Sequence, residues 1–508
     1  MGGGYRNRVV RVIPPGRVAS LDFRGEPADL PEAFAAVIEA VAKLVDVVDV
    51  TGDAFDTRVR ARPGGVVRLL AGAPAQSKAF SAGTLVVTMV LEETTGWSLE
   101  EMKAILGAVR RVPFTATEMG VLRAQMPLTG ELPLFAPPGC LSQVAPVLTV
   151  HHMTDFLVLV EAVRAMGVPA QAITVLDKGY PYRHTARVDT HLTRQGVTVW
   201  SWERAADALD DHACRAAQLG RKGLLVDDGG YTLPVLLADR PGLLPGFVGL
   251  VEQTMSGITK LEPWQGRLPL PVFSVAESTM KATVESYGVA DAAIRNMLRL
   301  LPEEKLEGQP ALVVGWGRIG EQVAEVLRSR RMRVAVHDQQ LVRLVAAHER
   351  GFVTGRCLSA LLSEHRPVLV VGSTGRTCLR GEHAAAIRGD CHLVSTTSRD
   401  REFAVAELAG EAVHVSDGGL LGLGLRLRSG ARVTIVGDGY PVNFHHAESL
   451  PNSYSDVILA SLLVGAATLA APGHGFAPGH NVAASNRVLE SCGLLERYYA
   501  RFGPKAAR

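Results

Sequence analysis

Val313-Val314-Gly315-Trp316-Gly317-Arg318-Ile319-Gly320, with Asp338 downstream, is the stretch on which the reading of this chain turns. The apolar run at 311–314 reads as a buried parallel strand. Gly315, Gly317 and Gly320 follow it in G-x-G-x-x-G spacing, Arg318 and Ile319 fill the gap, and helical periodicity runs over 321–328. A second strand, 333–336, leads to Asp338. In this geometry the first glycine permits the tight turn, and the second lets a pyrophosphate approach the backbone. The third lets helix and strand pack closely. The helix start offers free N–H groups and a positive dipole end to phosphate. Asp338 stands where a carboxylate accepts ribose hydroxyls and repels the extra phosphate of NADP. The unit therefore reads as an NAD site, against the alternative of a bare αβ turn.

Working outward, 508 residues exceed what one core usually organises, so two or three domains are expected. With 47% hydrophobic and 20% charged residues the composition is that of a soluble globular enzyme, and a net charge of +2 argues against a nucleic-acid partner. Arg6, Arg8, Arg11 and Arg17 occur in the first twenty residues without a continuous apolar core, so no secretory signal is expected. The longest apolar stretch, 457–471, reads as a buried helix too short for a membrane span. The six cysteines (Cys140, Cys214, Cys357, Cys378, Cys391 and Cys492) are scattered. That pattern suits a reducing cytoplasm and predicts no metal site.

Residues 1–115 read as a small α+β accessory or oligomerisation domain. Its expected strands cover 8–13, 66–70 and 84–91. A helical pattern covers 30–45, and a second covers 98–109 with Ser98 and Glu101 as a capping box. From 116 onward strands and helices alternate. Three strands (144–150, 172–176 and 223–226) each end in polar residues: His151-His152-Met153-Thr154, then Asp177-Lys178-Gly179-Tyr180, then Asp227-Asp228-Gly229-Gly230. In open α/β sheets ligands sit beyond the carboxyl ends of the strands. Spacing alone leaves an active site and structural histidines about equally favoured here.

From about 116 to 480 the chain resembles the S-adenosylhomocysteine hydrolase family. The resemblance is carried in order by His152-Met153-Thr154, Asp227-Asp228-Gly229-Gly230, Leu243-Leu244-Pro245-Gly246 with Glu252-Gln253-Thr254, and Lys281 with Tyr287-Gly288. It continues through the glycine turn, Ser373-Thr374-Gly375, and Val442-Asn443 with Pro451. It implies that bound NAD oxidises a ribose hydroxyl to a ketone. The ketone acidifies the neighbouring C–H, a thiol is eliminated, water adds, and the ketone is reduced again. It assigns the hydroxyl proton to Lys281, whose amine serves at neutral pH if burial or a nearby cation lowers its pKa. His152 and Asp228 take acid/base roles and Thr154 contacts substrate. Thr254, Ser373, Thr374 and Asn443 are placed on the cofactor. The implied partner is a small nucleoside-type substrate, and the implied assembly is a homo-oligomer.

This sequence departs from the family pattern around the substrate. Gln253 replaces a ribose-gripping glutamate, at a cost of about 1–3 kcal/mol in charge-assisted bonding. The family's Asp-Asn pair after the lysine is missing, Val284-Glu285-Ser286 standing there one residue shorter with Glu285 as a candidate substrate contact, and Phe156 replaces a glutamate expected at the base. Ser398 and Leu450 replace two histidines, Val289 replaces a cysteine, and the lysine-tyrosine C-terminal ending is missing, although Tyr498, Tyr499 and Lys505 remain near it. Tyr180, Tyr182, Arg183, His184 and Arg187 read either as facing an anionic substrate or as a solvated loop. The expected fold is α/β: a doubly wound Rossmann NAD domain (292–446) inserted in a second α/β substrate domain (116–291 and 447–480). A tail, 481–508, follows, and helices at the two crossovers act as hinges. Three functions stay open: an adenosylhomocysteinase-like enzyme, a non-catalytic NAD-binding regulator, and a dehydrogenase acting on another substrate.

Overall fold

The computed structural model describes residues 16–72, 83–397 and 402–504. The strand expected over 8–13, with Arg6, Arg8, Arg11, Ser398 and Lys505, lies outside the described residues. The chain divides into two compact units, 1–124 with 184–195, and 125–183 with 196–508.

The first unit holds an antiparallel sheet of β1 (Val18–Arg24), β2 (Asp46–Gly52), β3 (Asp56–Arg62), β4 (Gly65–Gly72) and β5 (Thr84–Thr94), ordered β1-β5-β4-β3-β2. Period-two alternation sets it: Val59, Ala61, Val67 and Leu69 point inward while the arginines between them stay out. The helices Leu30–Ala42 and Leu99–Gly107 add Phe34, Val37, Val41 and Ile105 to the same core. Ser98 and Glu101 form the capping box expected of them. Arg187, on the helix Thr185–Arg194, belongs to this unit. Its guanidinium donates to the carbonyls of Val112 at 2.9 Å and Pro113 at 3.0 Å and pairs with Glu118 at 2.6 Å. The expectation of Arg187 at an anionic substrate is therefore corrected, because two carbonyls and a carboxylate already satisfy its donor fork.

The second unit carries two sheets built on parallel strands. One contains β6 (Val144–Thr149), β7 (Thr174–Asp177), β8 (Thr198–Ser201), β9 (Lys222–Asp227), β10 (Phe247–Glu252) and β11 (Pro271–Ser274). The other contains β12 (Pro310–Val314), β13 (Arg333–His337), β14 (Val353–Thr354), β15 (Leu369–Gly372), β16 (Cys391–Ser395), β17 (Ala412–Asp417), β18 (Gly422–Leu427) and β19 (Arg432–Val436). A final β20 (Gly479–His480) returns to the first of these, giving the order β20-β11-β10-β9-β6-β7-β8. The second runs β14-β13-β12-β15-β16-β19-β18-β17, with β17 and β18 antiparallel at its edge. β6 and β12 are buried at every residue, as strands covered on both faces must be. In each sheet the order reverses beside the first strand, between β6 and β9 and between β12 and β15. Those two reversals open the crevices in which doubly wound sheets bind ligands.

The chain passes between these sheets through the helix Thr279–Leu300 and returns through Asn452–Ala470. The return helix is long and apolar enough to span a membrane, with mean hydropathy 1.5, but 67% of its apolar window is buried in the protein. It starts earlier than the stretch 457–471 suggests because Asn452 to Asp456 extend its start. Inside it, Asp456 is fully buried and accepts from the amides of Leu128 at 2.9 Å and Thr129 at 2.8 Å. These are early donors of the helix Pro127–Phe135, whose own N-cap, Met126, offers no acceptor. Asp456→Ala is expected to lower stability by about 3 kcal/mol, because two buried amides lose their partner. Asp456→Asn should cost less. Denaturation midpoints of the two variants check this, and equal midpoints for wild type and Asp456→Ala would refute it.

Candidate active site

The glycine turn has the geometry its sequence demands. Gly315 sits at φ +103°, and a Cβ there would meet the Ser373 carbonyl oxygen at 2.7 Å. A Cβ on Gly320 would fall 1.9 Å from the Gly315 oxygen, whereas one on Gly317 would meet nothing within 4 Å. The turn is tight on the protein side and open at the start of the helix Arg318–Ser329, which is the space a pyrophosphate needs. Asp338 follows β13 and accepts from the amides of Trp316 at 2.7 Å and Gln340 at 2.8 Å. The turn and Asp338 have the geometry of a dinucleotide-binding turn.

A cavity of about 610 Å³ opens from this turn toward the end of the other sheet. Ile319, Thr254, Thr374, Gly375 and Asn443 line it together with Asp228, Lys281 and Glu285, so expected cofactor and catalytic positions share one wall. Asn443 is buried and its Oδ1 has no hydrogen-bond partner among the described residues, and the same holds for Oε1 of the cavity-lining Gln253. Unpaired buried acceptors of this kind await donors from a ligand or ordered water. Ser373 stands behind the turn, bonded to Thr396 at 2.8 Å, and Arg318 points to solvent.

The reversal between β6 and β9 builds a polar wall of the cavity. Thr149 and Asp227 are register partners, and the Asp228 amide donates to the Thr149 oxygen at 2.7 Å. His151 and Asp228 thereby leave adjacent strand ends, and Lys178 leaves the end of β7. Lys178 Nζ lies 3.1 Å from Asp228 Oδ1 and 3.2 Å from His151 Nε2, while His151 Nε2 is 3.2 Å from Asp228 Oδ2. His151 Nδ1 meets the Tyr182 hydroxyl, and its ring stacks on Phe444 at 3.9 Å. Burial, then the Lys178 charge, depresses the His151 pKa to about 3, so the imidazole is neutral. Burial opposes ionisation of Asp228, but Lys178, His151 and Lys281 together hold its pKa below the usual range. Burial also keeps Tyr182 a neutral phenol. Lys281, near the start of the helix Thr279–Leu300, pairs instead with Glu285 at 2.7 Å.

Three buried carboxylates brace these loops without lining the cavity. Asp227 Oδ2 accepts from the amides of Tyr231 at 2.8 Å and Thr232 at 2.7 Å. Glu252 Oε1 accepts from the amides of Gly229 at 3.1 Å and Thr254 at 2.9 Å. Glu402 takes the amides of Thr374 at 2.7 Å and Gly375 at 2.6 Å, fixing the loop beside the glycine turn. Burial raises the pKa of all three.

Several sequence expectations are corrected. His152 is fully buried, stacked on Phe156 at 5.4 Å, and lies outside the cavity lining, where His151 stands instead. Phe156 is core, because an aromatic ring at that helical position gains more from burial than from the cavity. Thr154 does not line the cavity either; its hydroxyl donates to Glu448 at 2.7 Å. Tyr180 and Tyr182 are buried rather than solvated, packed with Met153, Tyr440 and Phe444. Sequence reasoning missed Glu402 altogether, placed His151 and Lys178 at polar strand ends without giving either a role, and left Tyr182 between substrate contact and solvated loop. Only the placement of Lys178 directly after a strand hinted at its role.

The fold and the cavity define an NAD-dependent enzyme. By sequence the chain is distantly similar to S-adenosylhomocysteine hydrolases. It is 25% identical over 331 residues to the S-inosyl-L-homocysteine hydrolase of Methanopyrus kandleri, covering 64% of this chain and 76% of that one. It is 23% identical over 322 residues to the adenosylhomocysteinase of Thermococcus kodakarensis, covering 63% and 74%. A solved glyoxylate reductase from Paecilomyes thermophila aligns at a TM-score of 0.39 and 12% identity, over 64% of this chain and 95% of that one, too faint to bear on the site. No protein-family model matches the chain.

Proposed function

We propose that this protein transiently oxidises a ribose-type hydroxyl of a nucleoside thioether, enabling elimination and addition at the neighbouring carbon. The observation that carries this reading is that Lys281, Asp228 and His151 wall one cavity with Ile319, Thr374 and Asn443. When bound, NAD supplies a hydride acceptor and returns the hydride at the end of the cycle. The Lys281–Glu285 pair takes and returns the hydroxyl proton: the ammonium gives one proton to the Glu285 carboxylate as it accepts the hydroxyl's. Ionised Asp228 and neutral His151 are the proton acceptors for the neighbouring C–H. Gln253 and Asn443 present the acceptors that hold ribose hydroxyls or the carboxamide of the cofactor. S-adenosylhomocysteine and S-inosylhomocysteine are the substrates to try first, since the two curated relatives are named for them. Leu450 lines the cavity and Phe156 lies in the core, which favours a base held chiefly by apolar contact.

The test uses purified protein loaded with NAD⁺, offered each thioether in turn. Nicotinamide absorbance and thiol release are followed together. Thiol release without net accumulation of NADH is the expected result. Accumulating NADH without thiol would favour a plain dehydrogenase. No signal from either thioether, with NAD bound, would overturn the reading.

A further inference from the structure

The cavity contains two lysine–carboxylate pairs on different elements: Lys281 with Glu285 on one helix, and Lys178 with Asp228 on two strand ends. The proposed function uses the first ammonium and leaves the second without a role. Lys178 is 3% exposed at its side chain, lines the cavity, and is flanked by the rings of Tyr180 at 5.5 Å and Tyr231 at 5.6 Å. A buried ion pair rarely adds stability over an apolar replacement of similar size. A charge kept in a cavity wall, touching an imidazole and a carboxylate at once, is better explained by chemistry.

We propose that Lys178 is the general acid of the elimination step and is reprotonated by His151. This rests on the function proposed above. The C–H bond beside the transient ketone breaks and its electron pair forms the new double bond. The bond to the leaving sulfur breaks with its pair going to sulfur. The carbon-bound proton ends on His151 Nε2, and Lys178 gives one proton to the departing sulfur, becoming a neutral amine. His151 Nε2–H then returns a proton to Lys178 Nζ across their 3.2 Å contact, restoring both groups. Addition of water reverses the sequence. The two transfers help each other. The Lys178 charge is one of the causes that hold His151 neutral, so loss of that charge makes His151 a stronger base as the leaving group takes its proton. Asp228, 3.2 Å from Nε2, steadies the imidazolium while it exists, and the Tyr182 hydroxyl fixes the other ring nitrogen.

The experiment compares two leaving groups on one nucleoside in NAD-loaded enzyme: the thioether, which needs a proton to depart, and a halide at the same carbon, which does not. Lys178→Met should slow thioether elimination about 10²–10⁴-fold and leave halide elimination within a few-fold of wild type. Lys178→Arg keeps the ion pair and hence the folded wall, but a guanidinium does not give up a proton, so it should show the same selective loss. Equal loss of both leaving groups, no loss of either, or recovery of the thioether reaction in Lys178→Arg would each overturn the assignment. If wild-type enzyme releases neither leaving group, the proposed function falls and this inference falls with it.

Discussion

Lys281→Met is expected to slow reduction of bound NAD⁺ by substrate about 10²–10⁴-fold, with cofactor affinity unchanged. Lys281 joins the cavity wall together with the cofactor-side residues Ile319, Thr374 and Asn443. Its Nζ is 2.9 Å from Glu285 Oε1 and 2.7 Å from Oε2, and its backbone amide is tied to the Ser278 cap at 3.1 Å. Capping fixes the first turn of the helix, and the carboxylate one turn on fixes the direction of the long side chain. A pair so held relays the hydroxyl proton to the Glu285 carboxylate without searching for its geometry. Lys281→Arg retains the pair with Glu285 but not the ability to take a proton, so it should fail almost as badly. Single-turnover absorbance of the reduced nicotinamide measures the step directly. A rate within tenfold of wild type in either variant would show that another group removes the hydroxyl proton.

Gly320→Ala is expected to lower NAD affinity at least 100-fold, about 2.7 kcal/mol, and to destabilise the second unit. The added methyl would lie 1.9 Å from the Gly315 backbone oxygen and 3.3 Å from Ser373 Cβ. Backbone rather than a flexible side chain is in the way, so the turn itself must open. Gly317→Ala is the informative contrast. Its φ of −87° suits alanine and its Cβ would meet nothing, so folding should be unaffected. The methyl would instead occupy the space left for the pyrophosphate. Calorimetric NAD titration together with denaturation midpoints separates the two. Gly317→Ala should lose affinity alone, and Gly320→Ala should lose affinity and stability. Unchanged affinity in Gly317→Ala would mean that the cofactor does not approach at this turn.

Much of the NAD half was legible in the sequence because its requirements are local. A strand, three glycines, a helix start and an acid lie within one short segment, and each residue type answers to backbone geometry rather than to distant neighbours. Lys281 and Asp228 were legible as members of linear motifs that keep their spacing. The histidine was not. His151 and His152 follow the same strand, and nothing local says which enters the cavity. Phe156, one helical turn further on, takes His152 into the core, while Phe444, on the far side of the NAD sheet in sequence, receives His151.

The loop after β7 shows the same limit. Tyr180, Tyr182 and Arg187 look like polar punctuation in the chain, yet two rings are buried beside the cavity and the guanidinium is bound within the first unit. By itself the sequence determined the glycine turn, the parallel α/β architecture around it and the lysine that lines the cavity. Only the tertiary structure decided which histidine is available and that Lys178 stands between it and Asp228. A glycine turn is specified by dihedral angles within a few residues. A buried cluster of charge exists only where strand order brings the ends of β6, β7 and β9 side by side.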